Sequence, residues 1–172
     1  MARGGDEDDL LAFCHAEHRR LVGLLVVVVG DVPVAEELAQ EALARLCANW
    51  SSVRRMDNPR AWLRRVALNL ATSRFRRRQA EWRANRRHGV VDVHVPADPA
   101  TAVAVRDAVR RLPPRQRTVI ALRYFAGLDV AETAREMRCA EGTVKSLTNR
   151  AVVQLRAHLS DTEEVRCDHT AR

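Results

Sequence analysis

Apolar residues recur at three- and four-residue spacing along most of the chain, which is the period of an amphipathic α-helix. Residues 7–29 predict a first helix, and the β-branched run from Val26 to Val29 predicts its buried end, because no second strand-like segment exists to pair with a strand there. Gly30 ends this helix, and Asp31 caps a second one. The core candidates of the two helices are Leu10, Leu11, Phe13, Leu21, Leu24, Leu25, Leu38, Ala42, Leu43, Leu46 and Trp50.

A third helix begins at Asn58-Pro59, because Asn accepts first-turn amides and Pro loses no hydrogen bond at the first helical position. Its inward stripe is predicted to be Trp62, Val66 and Leu70. Another face is polar throughout and carries Arg65, Asn69, Thr72 and Arg76. The pattern predicts a helix whose N-terminal half packs into a core and whose C-terminal half is exposed to a partner.

The helical period lapses after Arg87, and residues 88–104 predict a linker. A second unit follows over residues 105–159, in which Leu112-Pro113-Pro114 ends one helix and starts the next. Asp129 caps a short helix, a turn occupies residues 138–140, and a long helix runs from about Glu141 to Leu159. This order predicts a helix-turn-helix. The inward candidates are Val119, Ile120, Leu122, Phe125, Val130, Ala134, Met137, Val144, Ala151, Leu155 and Leu159.

These elements predict an all-α protein of two small helical domains joined by a flexible linker. The domains would span residues 1–87 and 105–159, with a polar tail at 160–172 that is predicted to be disordered. The 172 residues and a hydrophobic content of 47% are sufficient for two small cores.

The distribution of charge indicates an anionic polymer as a partner. Residues 51–90 hold twelve arginines against Asp57 and Glu81, whereas residues 1–50 carry a net charge of −5 and residues 105–159 a net charge of +6. A merely solvated surface mixes the two signs to avoid self-repulsion. Two basic surfaces therefore favour nucleic acid, and the preceding acidic block favours a different partner. Simple compensation of the helix dipole is the alternative explanation for the glutamates early in the second helix.

No constellation in the sequence indicates an enzyme or a metal site. Cys14 and His18 share a helix face, but two ligands fall short of a zinc site. The four cysteines have no paired spacing and the first residues are acidic and polar, which predicts a reduced, cytoplasmic setting. The apolar run from Leu24 to Val29 is too short to span a bilayer, so no membrane insertion is expected.

In order and spacing, several segments resemble the extracytoplasmic-function group of bacterial sigma factors, and the resemblance extends over nearly the whole chain. Residues 35–42 (AEELAQEA) resemble the helix that docks on core RNA polymerase, and residues 59–71 (PRAWLRRVALNLA) resemble the promoter-melting and minus-ten-reading segment. Four further segments resemble the domain that binds the minus-thirty-five element. They are LPPRQR at 112–117, LRY at 122–124, GL at 127–128 and EGTVKS at 141–146.

The resemblance implies a promoter-specificity subunit that binds core RNA polymerase and promoter DNA and helps to open the DNA, with no cofactor and no catalytic residue. Polymerase contacts are implied at Glu37, Gln40 and Glu41. Minus-ten and melting contacts are implied at Trp62, Arg65, Asn69, Thr72 and Arg76, with the preceding loop, Ser51–Asp57, helping to capture an unstacked base. Minus-thirty-five contacts are implied at Thr143, Lys145, Ser146, Leu147, Asn149 and Arg150. An anti-sigma factor is a further implied partner, and no homo-oligomer is expected.

Three departures from the family pattern fall in the helix-turn-helix. Arg138 replaces the usual turn glycine and Ala140 the usual serine cap, which cost of order 1 kcal/mol each. At Leu147-Thr148, either Thr148 faces the core and Leu147 is free to touch a thymine methyl, or Leu147 packs into the core in a shifted register.

Two other functions are consistent with parts of the chain. A stand-alone regulator would use the helix-turn-helix alone, and an interaction module would bind an acidic protein through the basic helix.

Overall fold

The computed structural model of the chain describes residues 3–84 and 100–169, with side chains described over 6–80 and 105–160. Within these ranges it contains helices and no strand, which confirms the all-α prediction. The helices are α1 (Arg3–Val29), α2 (Val32–Val53), α3 (Pro59–Ala84), α4 (Ala100–Arg111), α5 (Pro114–Ile120), α6 (Val130–Met137) and α7 (Glu141–His169), and a π-helical turn at Ala121–Phe125 continues α5. The chain divides into two compact units, Met1–Val93 and His94–Arg172.

The ends of the helices follow the local sequence signals. Gly30 has a positive φ of 78° and ends α1, and the Asp31 Oδ1 accepts a 2.9 Å hydrogen bond from the Val34 N–H. The Asn58 Oδ1 accepts a bond of the same length from the Ala61 N–H at the start of α3. Asp129 and Glu132 form a capping box at α6. All three caps predicted from the sequence are therefore confirmed.

In the first unit, α1, α2 and α3 pack around a core in which alanines alternate with leucines and valines. Val28 is buried, so the β-branched run is the buried end of a helix, as predicted. Leu11, a predicted core residue, is instead 57% exposed, and Leu10 and Phe13 are half-buried. The buried apolar residues are Leu21, Leu24, Leu25, Val28, Ala35, Leu38, Ala39, Ala42, Leu46, Val53, Leu63, Ala67, Leu68 and Ala71.

The buried face of α3 differs from the predicted stripe. Trp62, Val66 and Leu70 are only half-buried, whereas the buried positions are Leu63, Ala67, Leu68 and Ala71. Because α3 contacts both α1 and α2, its most buried line lies between two partners and combines two leucines with two alanines. The predicted Trp62, Val66 and Leu70 lie beside this line and are partly exposed.

The core of the second unit is formed by Leu112, Val119, Ile120, Ala134, Val144 and Ala151. Phe125, a predicted core residue, is 54% exposed. It ends the π-helical turn, and the extra residue in such a turn rotates the following positions out of the α-helical register. The sequence pattern could not indicate this turn.

The predicted domain limits differ from the observed helices in two places. Helix α4 begins at Ala100, inside the segment 88–104 that was predicted to be a linker. Residues 88–99 of that segment, and residues 85–87 at the end of the predicted first domain, lie outside the described residues. Helix α7 continues to His169, so the prediction of a disordered tail from residue 160 was wrong up to that point.

Arg138 is left-handed, with φ 49° and ψ 54°, at the position where the family resemblance implies a turn glycine. We expect Arg138→Gly to raise the free energy of unfolding by about 0.5–1 kcal/mol, because glycine removes the steric cost of this conformation but adds entropy to the unfolded chain. Urea unfolding monitored by circular dichroism measures the change.

Gly127 provides the matched control. Its φ is 70°, and a Cβ added there would meet no atom within 4 Å. Gly127→Ala should therefore lower the free energy of unfolding by about 1 kcal/mol through backbone strain alone. If the free energy of unfolding of Arg138→Gly were lower than that of the parent, the assignment of strain to Arg138 would be wrong.

Candidate nucleic-acid interface

The polar face of α3 forms one stripe along the outside of the first unit. Asn69, Thr72 and Arg76 are exposed, and Arg65 and Trp62 are half-buried at the start of the same stripe. The spacing of three and four residues places successive members one helical turn apart. The Thr72 hydroxyl donates a 2.8 Å bond to the Leu68 carbonyl, which leaves its oxygen lone pairs for a partner. The structure thus brings all five predicted minus-ten residues together.

The three predicted polymerase-binding residues, Glu37, Gln40 and Glu41, are exposed on α2 and line one wall of a cleft of about 560 Å³. The opposite wall belongs to α3. Its residues are Leu70, Ser73, Arg74 and Arg77.

The acidic side chains of this cleft are paired within the chain. The Arg74 Nη1 donates a 2.9 Å bond to the Glu37 Oε2, which joins α3 to α2. The Arg45 Nε donates a 2.9 Å bond to the Glu41 Oε1 one turn away. The surface is therefore a cleft of mixed charge rather than a uniformly acidic face. Arg74 and Arg77 were missed as members of this surface, because residues so far apart in sequence give no local signal.

In the helix-turn-helix, Lys145, Ser146, Asn149 and Arg150 are exposed along the start of α7, and Thr143 is half-buried. This face lies opposite the buried Val144 and Ala151, which fix α7 to the core. The structure therefore presents the predicted minus-thirty-five residues on one face, with the exception of Leu147.

Leu147 packs against the hydrophobic core of the second unit, although it is only partly buried. Thr148 is also half-buried, and its hydroxyl donates a 2.8 Å bond to the Val144 carbonyl. Leu147 therefore contributes to the core without a shift of register, because Val144 and Ala151 remain the buried residues of α7 as predicted. Neither alternative from the sequence holds as stated, since Leu147 and Thr148 are both half-buried. The proposed contact of Leu147 with a thymine methyl has no support in this arrangement.

Both units match families of known proteins. Residues 13–81 match Sigma-70 region 2, and residues 102–155 match Sigma-70 region 4. The RNA polymerase sigma-E factor of Streptomyces antibioticus is 32% identical over 163 residues, which cover 92% of this chain and 88% of that protein. The chain is a sigma factor of the extracytoplasmic-function group. Sigma factors are non-catalytic subunits of transcription initiation, and this chain is accordingly a promoter-recognising sigma subunit of RNA polymerase.

Other relatives and a solved structure support this assignment. The extracytoplasmic-function sigma factor SigM of Mycobacterium tuberculosis is 33% identical over 142 residues, which cover 80% of this chain and 70% of that protein. The sigma factor RpoE of Bartonella quintana, solved in complex with the anti-sigma factor NepR, matches with a TM-score of 0.73 and 26% identity. That match covers 90% of this chain and 96% of RpoE.

Cys14 of the sigma factor lies beside Cys47 of α2, and the pair gives no indication of a metal site. Burial, together with the neighbouring Cys47, raises the pKa of Cys14 to about 11. Within the described residues no group of three potential metal ligands occurs. Over the same part of the chain, no helix has the length and apolar character needed to cross a bilayer.

The raised pKa predicts a slow reaction of Cys14 with alkylating agents, because only the thiolate is nucleophilic. At pH 8 the exposed Cys47 should be alkylated first, and the rate at Cys14 should rise about tenfold per pH unit until pH approaches about 11. Mass spectrometry of peptides after timed iodoacetamide treatment measures both rates. Cys47→Ala is the control: it should speed the reaction of Cys14, but burial should still keep it slow. Equal rates at Cys14 and Cys47 at pH 8 would contradict the prediction.

Proposed function

We propose that this sigma factor uses three separate surfaces to bind core polymerase and the two promoter elements. The α2 side of the cleft, with Glu37, Gln40 and Glu41, binds core RNA polymerase. The stripe on α3 reads and opens the minus-ten element, and the exposed start of α7 binds the minus-thirty-five element. The observation that carries the proposal is the single outward stripe of Trp62, Arg65, Asn69, Thr72 and Arg76 within the segment that matches Sigma-70 region 2.

The chemistry of the α3 stripe suits a strand that is being opened. The Asn69 amide can both donate to and accept from a base edge, and an extruded base is read on that edge. The arginines provide charge-assisted bonds to phosphates. The catalytic step of transcription belongs to the polymerase, so this chain needs no nucleophile or metal of its own.

We also propose an anti-sigma factor as a regulatory partner and the cytoplasm as the site of action. The support for the partner is the Bartonella quintana sigma factor, which was solved with an anti-sigma factor bound. The stand-alone regulator is disfavoured, because it leaves the match of residues 13–81 to region 2 without a role. The interaction module is disfavoured as the primary function for the same reason, although binding to an anti-sigma factor would be an additional property.

The minus-ten assignment predicts a defect in promoter opening without a defect in polymerase binding. With purified core polymerase and genomic fragments of the source organism, the parent chain should create new, discrete transcript starts. Asn69→Ala should reduce open-complex formation at those promoters by about three- to tenfold, because one or two hydrogen bonds to a base are lost. Permanganate footprinting measures opening, and co-elution with core measures binding.

Asn49→Ala is a matched control for Asn69→Ala, since it removes another exposed amide from the same unit but lies on α2. It should open promoters like the parent. If Asn69→Ala also opened promoters like the parent, Asn69 would leave the proposed site. If the parent neither bound core nor created new transcript starts, the proposed function itself would be wrong.

The polymerase assignment predicts that charge reversal on α2 weakens the complex with core. The double change Glu37→Lys and Glu41→Lys should lower the affinity for core polymerase by about three- to tenfold, because two attractive charges become repulsive. Fluorescence titration of labelled sigma factor with core measures the change.

The pairing of Glu37 with Arg74 requires a control, because the reversal also breaks a bond within the chain. Glu37→Arg combined with Arg74→Glu restores that pair but moves the negative charge to α3. If this swap regained the parent affinity, the internal ion pair rather than the charge on α2 would be the cause. Unchanged affinity in the Glu37→Lys and Glu41→Lys variant would remove both glutamates from the proposed polymerase-binding surface.

A further inference from the structure

A buried carboxylate on α1 is joined to the first turn of the promoter-facing helix. Glu17 is only 8% exposed, and its Oε1 lies 2.9 Å from the Nε of Arg60 on α3. The Arg20 Nη1 on α1 donates a 3.4 Å bond to the same oxygen. A carboxylate withdrawn from water is unfavourable unless cations and hydrogen bonds compensate it, so Glu17 holds the Arg60 guanidinium in place.

The Arg60 guanidinium can still donate hydrogen bonds to a second partner despite this pairing. Its side chain is 56% exposed, and a guanidinium carries five N–H donors in a planar fork. The Arg60 Nε is the nitrogen recorded in contact with Glu17, and the exposed part of the guanidinium offers N–H donors to another partner. One carboxylate shared by Arg60 and Arg20 also leaves the cluster with a net charge of about +1.

The position of Arg60 places this charge beside an exposed loop. Residues 54–58 connect α2 to α3 and are all exposed. Helix α1 is tied to both ends of this loop, because Asp6 forms an ion pair with Arg54 at one end and Glu17 pairs with Arg60 just past the other. The four arginines at this corner exceed its three carboxylates by one charge; the residues are Arg20, Arg54, Arg55 and Arg60 against Asp6, Glu17 and Asp57.

We propose that Arg60 binds a backbone phosphate of promoter DNA next to the opened segment, and that Glu17 is a positioning residue that fixes its guanidinium. This inference rests on the proposed function of α3. Arg20 already supplies the buried Glu17 carboxylate with a cation, so the fold alone does not require a second arginine at this position. An arginine whose guanidinium is held by a carboxylate is pre-oriented, so less entropy is lost when it binds a phosphate.

The test uses the complete chain with core polymerase. The variant Glu17→Gln with Arg60→Gln removes both charges but keeps side-chain length, so that no buried carboxylate is left without its partner. Promoter binding is measured over a series of salt concentrations. The slope of log K against log salt should become shallower by about 0.7–0.9, the value for one phosphate contact in single- or double-stranded DNA. Arg20→Gln, which touches the same carboxylate from α1, should keep the parent slope.

Glu17→Gln alone separates positioning from contact. It keeps the Arg60 charge, so the salt slope should stay near that of the parent, while open-complex formation should be slower by a few-fold because the guanidinium is less ordered. Arg60→Lys should likewise keep the slope. A rate of opening equal to that of the parent in Glu17→Gln would overturn the positioning role.

A second measurement is insensitive to any loss of stability. Single phosphates near the minus-ten element are replaced by neutral methylphosphonates, and each DNA is bound by the parent and by Arg60→Gln. One replacement should weaken binding by the parent but not by the variant, which is the signature of a direct contact. If every replacement weakened both proteins equally, or if the double variant kept the parent slope, the ion pair would be structural and the inference would be wrong. Normal promoter opening by the parent in the same assays would leave the proposed function intact.

Discussion

The close packing of α3 against α1 and α2 is the contact on which region 2 depends. Five alanines of α2 and α3 have no solvent exposure: Ala35, Ala39, Ala42, Ala67 and Ala71. Leu25, Leu46 and Leu63 are fully buried as well, so small and large side chains together fill the space between the helices. Because this contact fixes the rotation of α3 about its own axis, it also determines that Asn69, Thr72 and Arg76 face outward. The core and the predicted promoter surface are therefore two sides of one helix.

Helix α3 and the residues that flank it carry many arginines, whose positive charges repel one another when no DNA is bound. Twelve arginines in residues 51–90 would repel one another, and three carboxylates from α1 and α2 oppose this repulsion across helix boundaries. Asp6 pairs with Arg54, Glu17 with Arg60, and Glu37 with Arg74. The exposed pairs each contribute about 0–1 kcal/mol, and their combined effect is to orient the basic side chains. Part of the acidic character of residues 1–50 thus serves the fold of region 2 rather than an external partner.

Features that depend on neighbouring residues in the sequence could be predicted, and features that depend on distant contacts could not. The caps at Asp31, Asn58 and Asp129 are local, because side chains act there on backbone groups within one turn. The turn at Arg138 was expected only from the family resemblance. The buried line of α3 depends on two partner helices, and the exposure of Phe125 depends on a π-helical turn. The link from Glu37 to Arg74 needs the folded chain. The end of α7 was missed because the polar residues after Leu159 carry no apolar period.

The arrangement of α7 limits how region 4 can distinguish promoters. With Leu147 packed against the core, the exposed groups at the start of α7 are those of Lys145, Ser146, Asn149 and Arg150. Lysine and arginine favour the guanine acceptors or phosphates, whereas serine and asparagine can both donate and accept. The apolar groups of the predicted set are those of Thr143 and Leu147, which are both half-buried. Under the proposed minus-thirty-five assignment, direct reading of bases would depend mainly on hydrogen bonds, which reject an incorrect base by leaving polar groups unpaired.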